Sequence, residues 1–182
     1  MTRPRVLLRP LSRADLPLLA RWLADPVVAR WWSEHPPHRV EEDFGRELDS
    51  GATDYLVVEA DGEDVGMLQR YPIAAYPEYV DEFAAAGVEV PAGAWSIDYL
   101  LGEPSARGRG LGVAMAARSV EGIWADDPAA TCVIVPVNVE NGASWGALLG
   151  AGFRRLPGEY LFEPDNPGDS HVHVVCRIDR PG

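Results

Sequence analysis

Apolar residues recur along the chain with two different spacings, one typical of strands and one typical of helices. Segments rich in β-branched and aromatic residues predict strands at 6–11, 54–60, 65–71, 95–101, 131–135, 153–156 and 171–178. Apolar residues with helical spacing predict helices at 16–23, 78–86, 113–124 and 141–151. Strands and helices are interspersed over the whole chain, which indicates a mixed α/β (α+β) fold.

Turn and cap residues lie where several of these elements are expected to begin or end. Ser12 to Asp15 precede the first helix and supply residues suited to an N-cap, and Asp61-Gly62 suits a tight hairpin turn. Gly152 closes the last helix. With 182 residues, 47% of them hydrophobic, the chain can bury one substantial core. A single domain over 1–182 is therefore predicted.

The segment 105–112, Ser-Ala-Arg-Gly-Arg-Gly-Leu-Gly, joins a predicted strand to a predicted helix. Unpaired backbone N–H groups and the positive end of the helix dipole bind phosphate well at such a junction. Arg107 and Arg109 add charged donors suited to phosphate oxygens. The spacing matches neither the nucleotide loop that ends in Gly-Lys-Ser/Thr nor Gly-x-Gly-x-x-Gly. The alternative is a glycine turn with solvated arginines.

The charge balance restricts the partners. Asp and Glu number 28 against 16 Lys and Arg, which gives a net charge of −12 and disfavours nucleic acid. An acidic cleft would attract a cationic substrate, although acidic surfaces also serve solubility alone. No apolar run is long enough to span a bilayer and no signal-peptide pattern is present, so no membrane partner and a cytoplasmic location are expected. Cys132 and Cys176 are expected to be buried free thiols, and no metal site is predicted.

Asp98 is the residue that best fits a chemical role. It lies within the strand segment Trp95-Ser-Ile-Asp-Tyr-Leu-Leu101, where the other residues suit burial. A carboxylate in such a place serves either a structural hydrogen bond or the chemistry of a nearby site. Its position just before the glycine-rich segment favours the second interpretation, in which Asp98 contacts the amine of a substrate that attacks a thioester.

The spacing Arg107-x-x-Gly110-x-Gly112 resembles the signature of the GCN5-related N-acetyltransferases (GNAT superfamily). The resemblance extends to the order of the other elements. It implies a central, mixed but mostly antiparallel sheet flanked by helices, with two central strands splayed apart around acetyl-coenzyme A as co-substrate. The residues then expected to contact acetyl-coenzyme A are Tyr99, Leu100, Arg107, Gly108, Arg109, Gly110, Leu111, Gly112 and Asn141. Trp145 lies one helical turn from Asn141 and is expected either to stack on the coenzyme or to fill the core.

A narrower resemblance, to the aminoglycoside 6'-N-acetyltransferases, is carried by Trp31-Trp32, Gln69, Ile97-Asp-Tyr-Leu-Leu101 and the glycine-rich segment. It implies transfer of an acetyl group to a primary amine of a cationic small molecule, most simply an aminoglycoside. Antibiotic resistance is the role such an activity implies. Asp98 is then the catalytic residue. The residues expected to contact the substrate are Trp32, Gln69, Asp98 and Glu140, the last as part of an acidic wall.

Two departures from the superfamily pattern leave alternatives open. Leu148 stands where many members carry the tyrosine that protonates the leaving thiolate, so Tyr99, water or no donor at all serves instead. Pro136 stands where antibiotic-modifying relatives often carry an acidic residue. The alternatives are an acyltransferase for a lysine-derived amine or hydroxylamine in siderophore assembly, whose members usually have histidine at position 98, and a non-catalytic acetyl-coenzyme A sensor. Both a monomer and a homodimer agree with the sequence.

Overall fold

The computed structural model describes residues 4–49, 51–164 and 166–182. Its strands are β1 (Val6–Pro10), β2 (Asp54–Ala60), β3 (Glu63–Pro72), β4 (Ala94–Leu101), β5 (Cys132–Asn138), β6 (Arg154–Arg155), β7 (Tyr160–Leu161) and β8 (Val172–Asp179). Its α-helices are α1 (Leu16–Leu23), α2 (Pro26–Ala29), α3 (Val40–Glu47), α4 (Pro77–Ala85), α5 (Leu111–Asp126) and α6 (Gly142–Gly150).

The strands of the described residues form one eight-stranded sheet in the order β1-β2-β3-β4-β5-β8-β6, with β7 also paired to β8. Neighbouring strands are antiparallel except β4 and β5, which are parallel. This mixed, mostly antiparallel sheet is the fold class predicted from the sequence.

The centre of the sheet is split. The parallel pairing of β4 with β5 consists of Ala94 with Cys132 and Trp95 with Val133. By contrast, β4 stays paired with β3 up to Leu101, and β5 stays paired with β8 up to Asn138. Beyond Trp95 the two central strands therefore diverge, and a gap opens between them.

Helices cover both faces of the sheet and give each a separate core. On one face, Val120 of α5 and Leu148 of α6 pack with Ile97 of β4 and Val133 of β5. On the other, α1 and α3 pack against the first strands, with the fully buried side chains Leu19, Phe44 and Met67. Helix α4 covers the β5–β8 part of that second face; its core consists of Ile73, Phe83, Ile134 and Val175 with their neighbours. The gap thus lies between two layers of helices.

A close contact holds the end of β4 in place. The indole of Trp22, only 2% exposed, lies directly against the backbone of Gly102, where any side chain would overlap the ring. Trp22 Nε1 donates a hydrogen bond to Glu103 Oε1 at 2.8 Å. Helix α1 therefore fixes the point at which the chain leaves β4 for the glycine-rich segment.

Most predicted elements are confirmed, including α4 and the hairpin of β2 and β3. The predicted strand at 153–156 is only the two-residue β6, because it pairs with β8 through Arg154 and Arg155 alone. Helices α2 and α3 were not predicted, since their apolar positions are too few to give a clear period. Cys132 and Cys176 are free and buried, as predicted.

Among the described residues, none of the helices combines the length and apolar character needed to cross a bilayer. The same residues contain no group of three or more His, Cys, Asp or Glu side chains arranged to hold a metal ion.

Replacing Gly102 by alanine tests the contact with Trp22. The added methyl group has no room beside the buried indole, so Gly102→Ala is expected to lower the free energy of unfolding by about 1–3 kcal/mol. The matched control is Gly146→Ala, where no atom lies within 4 Å of the new Cβ and alanine favours the helix by roughly 0.5–1 kcal/mol. Urea unfolding measures both, and equal stability of the two variants would contradict this packing.

Candidate active site

A groove of about 460 Å3 lies where β4, α5 and α6 meet. Its walls include Leu100 and Leu101 from β4, several residues of the glycine-rich segment, and the first turns of α6. The lining residues from that segment and from the start of α5 are Arg107, Gly108, Gly110, Gly112, Val113 and Met115. The groove therefore ends on the N-terminus of α5.

The glycines have conformational and packing reasons for being there. Gly108 and Gly110 adopt φ angles of 72° and 78°, which favour glycine, and Gly110 is the N-cap of α5. Gly112 lies so close to α6 that a Cβ would sit 3.2 Å from Ala147 Cβ. The first N–H groups of α5 have no partner within the helix, and the helix dipole is positive at this end. The segment thus has the backbone conformation that the anion-binding prediction requires, and anion binding there stays a prediction.

The two arginines of this segment have intramolecular partners in the structure. Arg107 donates to the carbonyl oxygens of Leu101 and Gly102, both at 3.2 Å, and pairs with Asp25 Oδ1 at 3.0 Å. Arg109 is exposed and pairs with Asp61 Oδ2 at 2.9 Å. Arg107 therefore braces the segment against the end of β4, and each arginine pairs with a carboxylate of the protein itself.

A second cavity, of about 380 Å3, adjoins the groove. The two share a junction, formed by Trp31, Trp32, Tyr99, Asn141 and Ser144, which line both. The second cavity extends from this junction into the gap between β4 and β5. A molecule lying in the groove can therefore present one end to a molecule in the second cavity.

Asp98 lies in the wall of the second cavity. Gln69 is its direct cross-strand partner on β3, and Gln69 Nε2 donates to Asp98 Oδ2 at 2.8 Å. Removal from water raises the pKa of Asp98, and hydrogen bonds from Gln69 and Tyr71 only partly offset this effect. A carboxylate with a raised pKa accepts a proton more readily than an ordinary aspartate does.

Further acidic groups line the same cavity. Glu34, Glu82, Glu163 and Asp169 join Asp98 around it. Burial raises the pKa of Glu82, and repulsion from Glu34 and Glu163 raises it further. Because like charges repel one another here, a cationic ligand would stabilise this wall.

The side chain of Tyr99 connects β4 with α6 at the junction of the two cavities. Tyr99 Oη donates to the carbonyl oxygen of Ser144 at 3.0 Å and also lies 3.0 Å from Ser144 Oγ. Asn141 caps α6 by accepting a hydrogen bond from Ser144 N at 3.2 Å. Burial raises the pKa of Tyr99 well above its usual range, so its hydroxyl keeps its proton. Tyr99 thus links β4 to α6 across the gap.

The structure brings most of the residues expected at the site together. Trp32, Gln69, Asp98 and Tyr99 line the second cavity, and Asn141 lies at the junction. The following line neither cavity: Arg109, Leu111, Glu140 and Trp145. Leu111 is buried in the core, Trp145 donates to the carbonyl oxygen of Val139, and Glu140 pairs with Arg30.

Several lining residues were missed in the sequence. His35, Tyr71, Tyr79 and Ser144 line the second cavity, and the structure adds Phe162 and His173 from the end of the chain. Tyr71 carries a signal that could have been used, since it lies two positions after Gln69 and so on the same face of β3. The others come from distant segments that only the fold brings together.

The family model for the acetyltransferase (GNAT) domain matches residues 12–158. The chain belongs to this GNAT family. It is an acetyl-coenzyme A-dependent N-acetyltransferase, and the family, fold class and co-substrate expected from the sequence are confirmed.

Solved GNAT structures resemble the chain over nearly its full length. Aminoglycoside acetyltransferase AAC(6')-Ib in complex with coenzyme A and kanamycin has a TM-score of 0.79 and 24% identity, covering 97% of this chain and 95% of that one. Spermidine N-acetyltransferase from Vibrio cholerae, in complex with coenzyme A and spermine, has a TM-score of 0.72 and 18% identity, covering 96% and 95%. At these identities the likeness concerns the fold. No curated protein matches the chain.

Arginine variants test how the GNAT groove is built. Arg107→Ala removes contacts to Asp25, Leu101 and Gly102, so the variant is expected to bind coenzyme A on the order of tenfold more weakly and to unfold at a lower temperature. Arg109→Ala removes an exposed ion pair and is expected to change affinity by about threefold at most. Calorimetric titration with coenzyme A measures the affinity of each variant. Equal losses in the two variants would contradict the bracing role of Arg107.

Proposed function

We propose that this N-acetyltransferase acetylates a primary amine of a polycationic small molecule, with aminoglycosides or aminoglycoside-like compounds as the leading class. The observation that carries the proposal is the place of Asp98. Its carboxyl group lies in the wall of an acidic cavity that meets the coenzyme A groove at Tyr99. An amine held by Asp98 is thereby next to the end of the groove from which a thioester arrives.

The reaction needs a deprotonated amine aligned with the thioester carbon. Asp98 binds the incoming ammonium group and accepts its proton, and the raised pKa of Asp98 favours this transfer. Gln69 holds the carboxylate through its bond to Oδ2. The neutral amine nitrogen then attacks the acetyl carbon, which leaves negative charge on the acetyl oxygen.

The diverging part of β4 is suited to receive that charge. Backbone groups of β4 that face away from β3 have no ladder partner on β5 beyond Trp95. N–H groups near Tyr99 and Leu100 are therefore available to donate to the oxyanion. These donors are held in position beforehand by the ladder that β4 forms with β3.

The substrate class follows from the lining of the second cavity. Its carboxylates suit several ammonium groups, and Trp31 and Trp32 offer flat surfaces for a sugar or aminocyclitol ring. Kanamycin is bound in the AAC(6')-Ib structure that shares this fold. A linear polyamine is the second candidate, supported by the acidic wall and by the spermine-bound structural neighbour.

The two remaining alternatives fit the site less well. Acyltransferases of siderophore assembly usually carry histidine at the position of Asp98, and here a carboxylate lies at that position. A sensor without activity has no use for a carboxylate that is removed from water, since the charge costs folding free energy. Glu140 and Trp145 line neither cavity, and their contacts with substrate and coenzyme A stay predictions.

An amine panel combined with Asp98→Asn tests the proposal. Thiol release from acetyl-coenzyme A is followed with aminoglycosides, polyamines, hydroxylysine-type amines and short peptides as acceptors. Turnover is expected with aminoglycosides and to fall at least about 100-fold in Asp98→Asn, because asparagine cannot accept the proton. Full turnover by the variant would overturn the role of Asp98. Turnover of another amine alone would replace the substrate class.

The unfolding temperature of Asp98→Asn distinguishes loss of the proton acceptor from misfolding of the variant. The pKa of Asp98 is higher in the folded state than the value of about 3.9 expected in the unfolded state. Ionisation of Asp98 therefore lowers the free energy of unfolding as the pH rises above the unfolded-state pKa. Asp98→Asn should therefore unfold at a higher temperature than the parent at pH 7, with the gain shrinking below pH 4. A less stable variant at pH 7 would contradict this assignment.

A further inference from the structure

The superfamily position for a thiolate-protonating tyrosine cannot serve in this chain. Leu148 occupies it, offers no proton and is fully buried in the core formed with Ile97 and Val120. In the proposed reaction, the sulfur of coenzyme A leaves at the junction of the two cavities. A donor, where one exists, must therefore come from the residues that line that junction.

Five described residues line both cavities: Trp31, Trp32, Tyr99, Asn141 and Ser144. Their donors differ greatly in acidity. A phenol loses its proton near pH 10, whereas an aliphatic hydroxyl, an amide and an indole are far weaker acids. Tyr99 is thus the residue of this group best able to hand over a proton.

We propose that Tyr99 is the catalytic residue that donates a proton to the departing sulfur of coenzyme A. The proposal rests on the acetyl transfer described above but not on which amine accepts the acetyl group. Tyr99 follows Asp98 directly on β4, so acid and base lie on neighbouring residues of the strand that borders the gap.

The surroundings of Tyr99 suit a donor. Its single hydroxyl proton points to the carbonyl oxygen or the Oγ of Ser144, both at 3.0 Å, and it can rotate toward a third acceptor. Ser144 Oγ–H can then donate to the oxygen that Tyr99 leaves charged. Burial raises the pKa of Tyr99, with smaller contributions from the nearby Cys176 and Asp98, so the hydroxyl is protonated at neutral pH. Because the same shift makes the phenol a weaker acid, the proton moves only as the carbon–sulfur bond breaks and charge develops on sulfur.

The step balances as follows. The bound ammonium group first loses one proton through Asp98 to solvent, so that a neutral nitrogen forms the bond to the acetyl carbon. Asp98 then takes the second proton, which the nitrogen loses as it becomes the amide nitrogen. When the oxyanion reforms the carbonyl, the carbon–sulfur bond breaks and its electron pair goes to sulfur. Sulfur then takes the proton of Tyr99 Oη. Solvent carries the proton of Asp98 back to the tyrosinate, so both groups return to their starting states.

Binding of coenzyme A and of desulfo-coenzyme A tests the contact without any acceptor amine. Calorimetric affinities are measured for both ligands at pH 7 and at about one unit above the ordinary thiol pKa of about 8.5. A hydroxyl donor at the sulfur favours the thiolate form of coenzyme A. In the parent protein, the ratio of the affinity for coenzyme A to that for desulfo-coenzyme A is therefore expected to rise on the order of tenfold from pH 7 to the higher pH. A pH-independent preference in the parent would overturn the proposal, whether or not any variant folds.

Tyr99→Phe keeps the ring and removes only the donor. It is expected to lose the pH-dependent preference and to lower kcat by about 100-fold with an unchanged affinity for desulfo-coenzyme A. Tyr160→Phe is the matched control, since the Tyr160 hydroxyl donates to Pro157 outside both cavities. Parental kcat in Tyr99→Phe, or a weaker binding of desulfo-coenzyme A that accounts for the whole loss, would contradict the role of Tyr99. Failure of the amine panel alone would leave the binding result unaffected.

Discussion

The short parallel pairing of β4 with β5 is the constraint on which the site depends. Two residue pairs join these strands, and each strand then follows its antiparallel neighbour instead. The resulting gap leaves strand backbone without a ladder partner, which a protein tolerates only where other groups satisfy it. In the proposed reaction, the thioester supplies such a partner. Tyr99 of β4 reaches α6 at this gap through its hydrogen bond to the carbonyl oxygen of Ser144.

A second link joins the two cavities through Arg107. Its guanidinium contacts the end of β4 and Asp25, and Asp25 also caps α2 by accepting from the N–H groups of Val27 and Val28. Helix α2 leads directly into Trp31 and Trp32, which line both cavities. The glycine-rich segment and the two tryptophans that line both cavities are thus connected through Arg107, Asp25 and α2. Burial disfavours the charged form of Asp98. The same effect makes its carboxylate a stronger base and lowers the stability of the folded protein.

The places of the glycine-rich segment before α5 and of Asp98 within β4 could be predicted from the sequence because both depend on local rules. A left-handed glycine before a helix and a carboxylate inside an apolar strand are visible without knowledge of the fold. The contacts of Arg107 are not visible in this way, since Asp25 lies far from it along the chain and meets it only through the packing of α1 on Gly102. The same holds for Ser144 and for the aromatic residues of α4 and β8. Trp145 was assigned from its spacing to Asn141 alone, and a spacing on a helix does not say which face the core will take.

The central claim is that the divergence of β4 from β5 creates the acetyl-transfer site, with the acetyl oxygen facing backbone N–H groups of β4. Infrared spectroscopy of bound acetyl-coenzyme A with a 13C-labelled thioester carbonyl tests this most directly. Strong donors at that oxygen weaken the carbonyl bond, so the account predicts a stretching frequency below that of the free thioester in water. A frequency equal to or above the free value would mean that β4 does not receive the oxyanion, and would contradict the account.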